Sequence, residues 1–216
     1  MAFHYSPRII NDTSLILYLD AANSNSYPGT GTKWSDISKS GYDSTLNSVT
    51  YDSLNNGSMV FNGSTSNVSC GNISIGASGT VNVWFKQDVA TANRGLVGIG
   101  TNTWLYIGGS GANSMLGAYN GTVFSSGISL NGSTSWNFAS FVWSGTTLTI
   151  YLNGGSAISS TISFTNSGNV VIGVYPSNVA GSYFNGKISN VQIYNRNLSA
   201  VEILQNYNAT KTRYGL

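Results

Sequence analysis

Cysteine is nearly missing from this chain. Cys70 stands alone, so no intrachain disulfide can form and cysteine usage leaves the redox compartment open. Histidine is as scarce: His4 is the only one and lies near the start, so no His/Cys cluster exists to hold zinc, and Ser/His/Asp catalysis would depend on a terminal histidine. Charge is thin as well. Lys, Arg, Asp and Glu make up 7% of the residues, against roughly 25% in ordinary soluble domains. The net charge of +2 comes with no basic run or stripe, which excludes the electrostatic footprint of a nucleic-acid binder. Long apolar runs are lacking too. The first, at residues 15–19, is short and lies between Asp12 and Asp20, so we expect neither a signal peptide nor membrane insertion. The glycine-rich stretches at 95–100 and 108–111 lack the strand, turn and helix setting of a phosphate loop and read as turns.

Strand and turn fill most of what remains. Val81, Val83 and Phe85 alternate with Asn82, Trp84 and Lys86, the period of a strand, and Trp84 on the second face implies a second packed layer or a rim. Leu15, Leu17 and Leu19 alternate in the same way, giving a first strand with a leucine face toward the core. Further strands are expected near 44–46, 59–62, 67–70, 95–99, 103–107, 114–119, 137–143, 147–152, 156–164, 169–174 and 187–194. Asn-Gly pairs at 56, 62, 120, 131, 153 and 185 favour tight hairpin turns, most clearly between 147 and 164 around Asn153. Val191 and Ile193 share a face that Ile188 misses by one residue, which a bulge or twist between 188 and 191, or burial on both sides of the strand, would resolve. One helix signal stands out. Ser199 and Glu202, the lone glutamate, form a capping box, with Leu198 and Ile203 as its hydrophobic staple, and predict a helix of about two turns from Ala200. So many strands with one late helix need two antiparallel sheets face to face: an all-β sandwich of jelly-roll type in which the first strand lies near the last.

The segments LILYLDAAN (15–23), KWSDIS (33–38), SMVFNGSTSNV (58–68), VNVWFK (81–86), LTIYLNG (148–154) and FNGKISNVQIYNRNLSAVEI (184–203) resemble, in order, the laminin-G-like branch of the concanavalin A-like lectin/glucanase superfamily. The opening LDAAN, the residues around Trp34 and the ending QNYNATKTRYG resemble the versions carried by tailed bacteriophages. That resemblance implies a non-enzymatic structural protein of a virion, on the capsid or tail, with other virion proteins as partners and host-surface glycans as contacts. A free lectin-like carbohydrate-binding module is the alternative, and a glycoside-active enzyme a weaker one. Fold alone does not choose among them.

Glycosidases need two carboxylates at a set separation. No such pair shares a strand here: Asp88 has no acidic partner two or four residues away, and Glu202 is committed to its cap. Calcium is an open alternative at Asp20, Asp36 and Asp43, which without an acidic loop motif read as turn and capping residues, so we expect no metal or cofactor. Sugar binding calls for an aromatic face ringed by amides and hydroxyls, and Trp104, Tyr106, Tyr119, Tyr175 and Tyr183 are the candidates. Residues 1–13 read as an arm ahead of a domain at 14–216. Its Phe3, Tyr5, Ile9 and Ile10 are the candidate contacts with a neighbouring subunit in a homo-oligomer.

Overall fold

The computed structural model describes residues 7–54, 57–88, 93–109, 114–130, 133–155, 157–162, 167–176 and 179–216. Two eight-stranded antiparallel sheets pack face to face, as the strand pattern requires. The first sheet runs β14 (Ala157–Thr161), β13 (Thr147–Leu152), β12 (Asn137–Ser144), β7 (Ser78–Gln87), β16 (Asn185–Tyr194), β5 (Ser58–Asn62) and β4 (Thr50–Asp52). β1 (Leu15–Asp20) joins it on β16: β5 pairs with residues 185–188 of that strand and β1 with residues 190–194, so first strand meets last. The second sheet runs β11 (Val123–Ser129), β10 (Met115–Asn120), β9 (Thr103–Gly108), β8 (Arg94–Ile99), β15 (Ser167–Ile172), β6 (Asn67–Ser74), β3 (Ser44–Asn47) and β2 (Lys33–Trp34).

Alternation places the main core between the sheets. Val81, Val83 and Phe85 of β7 meet Ile188, Val191 and Ile193 of β16 there, with Leu105, Ile107 and Leu116 from the second sheet. Each such side chain contributes about 1.5–3 kcal/mol when fully buried. The register of β16 against β7 shifts between Ile188 and Asn190, which brings Ile188 onto the inner face as its parity demanded. A comparable shift between Leu15 and Leu17 divides the leucine row: Leu17 and Leu19 enter the main core, whereas Leu15 turns to the opposite face.

That opposite face carries a second core. Trp84, Phe138 and Tyr194 point outward from the first sheet and are covered by the C-terminal helix α1 (Ala200–Thr210) and a 3-10 turn (Lys211–Tyr214). Trp84 stacks on Tyr214 at 4.2 Å between ring centroids and on Tyr207 at 5.6 Å, and its indole N–H donates to Thr210 Oγ1 at 2.8 Å. β7 and β12 are thus buried on both faces, and their buried outward polar residues, among them Thr80, Asn82 and Ser140, are uncharged amides and hydroxyls. Asn82 donates to Gln192, and Gln192 to Asn190. Ser199 and Glu202 form the expected capping box, but the helix runs 11 residues because Ile203, Asn206 and Thr210 continue its buried stripe. Leu204, although apolar and next to Ile203, lies off that stripe and is 44% exposed.

The Asn153 hairpin joins β13 to β14 with Asn153 at φ 52°, as the pair Asn-Gly favours. Asn185 and Gly186 are not a turn. They open β16 and pair with Asn62 and Phe61 on β5.

Candidate functional site

The two outer faces of the sandwich differ. That of the first sheet is largely roofed by α1 and the residues flanking it. On the second sheet, Thr45, Asn47, Ser69, Asn72 and Ser74 leave an exposed face of amides and hydroxyls, with the Lys33–Asp43 pair at its β2 edge. At its β9–β10 end this face carries aromatic rings. Trp104 and Tyr106 project outward from β9, since Leu105 and Ile107 between and after them enter the core, and Tyr119 projects from β10 directly opposite Trp104.

Trp104 and Tyr119 stack with centroids 4.0 Å apart and planes 14° apart. Tyr175, which follows β15, reaches Trp104 from the other side of the strand order and stacks at 4.7 Å and 20°. Trp104 is therefore the middle ring of a three-ring stack. Tyr106 closes the group edge-on to Tyr175 at 6.1 Å and is itself buried, 6% exposed.

Two glycines make this arrangement fit. A Cβ on Gly98 would lie 2.8 Å from Pro176 Cδ, so glycine there lets the segment after β15 cross above β8. A Cβ on Gly117 would lie 2.9 Å from the Tyr106 ring, so that ring lies flat on β10 only because the position is bare. Arg94 secures the crossing segment by donating to the carbonyls of Gly181 at 2.9 Å and Tyr183 at 3.1 Å. The amide of Tyr175 donates to Ser182 Oγ at 3.3 Å.

Four of the five aromatic candidates thus come together: Trp104, Tyr106, Tyr119 and Tyr175. Tyr183, half-buried, supplies a carbonyl to Arg94. The stack also changes what Trp104 can offer, since both its faces are covered and only its edge is left for a ligand. The open ring face belongs to Tyr119, on the side toward β11. Its partner across that pair is Val123, 64% exposed, which forms an apolar step beside the ring that the sequence did not single out. Burial raises the Tyr175 phenol far above its ordinary value, with Tyr106 adding to the effect and Arg94 opposing it; burial also raises Tyr106. Both phenols stay neutral hydrogen-bonding groups, suited to stacking and hydroxyl recognition rather than proton transfer.

Most carboxylates are tied elsewhere. Glu202 accepts from Arg196 at 2.6 Å and from the Ser199 amide at 2.8 Å, and Arg196 also reaches Asp12 at 2.9 Å. Asp52 pairs with Lys187 at 2.6 Å. Among the calcium candidates, Asp36 accepts from the amides of Tyr18, Ser38 and Tyr42, Asp43 pairs with Lys33, and Asp20 receives both terminal nitrogens of Arg213. Their oxygens face protein donors, and among the described residues no three His, Cys, Asp or Glu side chains form a metal-binding group. Asp88 is exposed at the end of β7.

Residues 7–13 correct the expected arm. They do not extend from the sandwich but pack on their own domain: the Ile10 amide donates to Asn206 at 2.7 Å, the Ile10 carbonyl accepts from Tyr194 OH at 2.8 Å, and Gln205 donates to the Arg8 carbonyl. Ile9 and Ile10 rest against the second core. The free edges of Asn206 and Tyr194 attract this segment, a pull that its own sequence does not reveal. Phe3 and Tyr5 lie outside the described residues. No described helix is long and apolar enough to cross a membrane.

Solved structures with this architecture include domain 4 of AbnA, an extracellular arabinanase from Geobacillus stearothermophilus, in complex with arabinotriose. The two chains are 17% identical with a TM-score of 0.70, over 90% of this chain and 98% of that one. The binding domain of Paraclostridial Mosquitocidal Protein 1 matches at 15% identity and a TM-score of 0.65, over 91% of this chain. Trypanosoma rangeli sialidase in complex with sialic acid matches at 14% and 0.68, over 94%. This chain spans 52% of the toxin domain and 34% of the sialidase. At these identities the likeness concerns the fold. No curated protein sequence matches. Residues 62–204, more than half of the chain, match the family model for the concanavalin A-like lectin/glucanases superfamily, and the chain belongs to that superfamily.

Proposed function

We propose that this domain is a non-catalytic glycan-binding module whose ligand lies on the outer face of the second sheet, against Tyr119 and Val123. The observation that carries this is the three-ring stack at the β9–β10 end of a mostly polar sheet face. A sugar ring offers a C–H face to an aromatic and hydroxyls to polar side chains beside it; Tyr119 supplies the first, and the exposed Ser125 hydroxyl, two residues along β11 from Val123, supplies the second. The bound arabinotriose of the AbnA domain, which this chain matches nearly end to end, is consistent with that use of the fold. The neutral phenols and engaged carboxylates argue for binding without hydrolysis.

Display on a tailed-phage virion, which the sequence resemblance implies, would place such a module at a host surface, and particle proteomics tests that placement. Homo-oligomerisation through the arm loses support from residues 7–13, which are satisfied within one chain.

Binding to immobilised neutral polysaccharides and a glycan array tests the function. Wild-type protein should retain at least one glycan, and Tyr119→Ala should weaken it by about tenfold, the scale of one lost stacking contact in a binding site. Hydrolysis of the bound glycan, or full retention by Tyr119→Ala, contradicts the proposal.

A further inference from the structure

The opposite side of the sandwich holds a cleft that the glycan reading does not use. It lies where the segment before β1 crosses the end of α1 and has a volume of about 590 Å³, within the roughly 300–1,000 Å³ usual for small-molecule sites. Arg8, Ile9 and Asn11 come from the N-terminal segment, Tyr18 from β1, and Ala209 and Arg213 from the C-terminal end. We propose that this cleft binds a carboxylate-bearing sugar, of the uronic acid type, through Arg8 and Arg213.

The electrostatics give the sign. Arg213 is held by Asp20 in a two-pronged pair at 2.7 and 3.2 Å, and the Tyr18 hydroxyl donates to the same carboxylate at 3.1 Å. The pair cancels its own charge, but a guanidinium has five N–H donors, and Asp20 uses one on each terminal nitrogen. Arg8 is exposed, no carboxylate lines the cleft, and among the described residues none forms an ion pair with Arg8; Asp20 is taken by Arg213, and Asp12 and Glu202 by Arg196. The cleft is therefore positive by about one charge, with a preset planar donor group at one wall, which suits a carboxylate. The apolar atoms of Ile9 and Ala209 and the amide of Asn11 suit the ring and hydroxyls of a sugar acid better than a bare anion.

Position also isolates this cleft from the aromatic stack, since one belongs to the first sheet and its covering helix and the other to the outer face of the second sheet. The two can be tested apart. Galacturonic acid, methyl galactoside and acetate would be titrated into the full chain by calorimetry and by amide NMR. Saturable binding is expected for galacturonic acid alone, weakened about tenfold by Arg8→Gln through loss of one charge-assisted hydrogen bond and untouched by Tyr119→Ala. Arg8 is exposed, so its substitution leaves the fold intact, as the unchanged NMR spectrum should confirm. Absence of saturation with galacturonic acid, equal affinity for the neutral sugar or for acetate, or full binding by Arg8→Gln would overturn the proposal. Loss of binding in Tyr119→Ala would assign galacturonic acid to the aromatic site and overturn it as well.

Discussion

Replacing Arg213 by Met tests how the C-terminal turn is held to the sandwich. Asp20 is 3% exposed at its side chain and Arg213 21%, and the two meet through paired hydrogen bonds. Methionine keeps much of the stem's packing but leaves the Asp20 carboxylate with only the Ala22 amide and the Tyr18 hydroxyl as donors. Removing one partner of a buried ion pair costs about 3–5 kcal/mol. Because Arg213 keeps some solvent contact, the low end, about 3 kcal/mol, applies. At about 2–4 °C per kcal/mol for a chain of this length, Tm should fall by about 6–12 °C. The double variant Asp20→Asn, Arg213→Met removes the stranded charge and should recover about half of that loss, read by differential scanning calorimetry. A fall of less than about 2 °C in the single variant, or a double variant no more stable than the single, would refute the reasoning.

Ser199→Ala removes the helix cap and should cost about 1 kcal/mol in denaturant unfolding, with an unchanged slope. Arg196, assisted by Ser199, holds the Glu202 carboxyl down at about 2, below its ordinary 4.5. The folded value lies below the unfolded one, so this stability is complete above about pH 4.5 and is lost as pH falls toward about 2; Glu202→Gln should flatten urea midpoints across that window. Deleting residues 1–11 should lower Tm measurably, because it removes the Ile10 partners of Asn206 Oδ1 and the Tyr194 hydroxyl and strips Ile9 and Ile10 from the second core; an unchanged Tm would show that the segment does not dock.

Where a strand has one wet face, its sequence predicts it well. The bulge near Ile188, the capping box and the outward Trp84 layer follow from parity and spacing, both local properties. β4 and β11 escape because their period is weak: β4 has only three residues, and β11 sets Val123 and Phe124 side by side before Ser125, Ser126 and Gly127, which breaks the apolar/polar alternation. The aromatic site is legible in its members but not in its geometry. Nothing within the chain's local pattern tells that Tyr119 and Tyr175, 56 residues apart, close on Trp104 from opposite sides, nor that Val123 forms the step beside them. The cleft beside Tyr18 is invisible for the same reason, since it exists only where the two ends of the chain meet.

Tryptophan fluorescence offers the most direct test of the glycan site. Of the five tryptophans, Trp34, Trp84, Trp136 and Trp143 are buried, while Trp104 is half-exposed at its edge. Acrylamide quenching should therefore report mainly on Trp104, and a glycan seated against Tyr119 should shield it. Saturating ligand should lower the quenching constant in the wild type, with no such change in Trp104→Phe. Quenching that stays the same while the glycan is demonstrably bound would contradict the assignment of the site to this face.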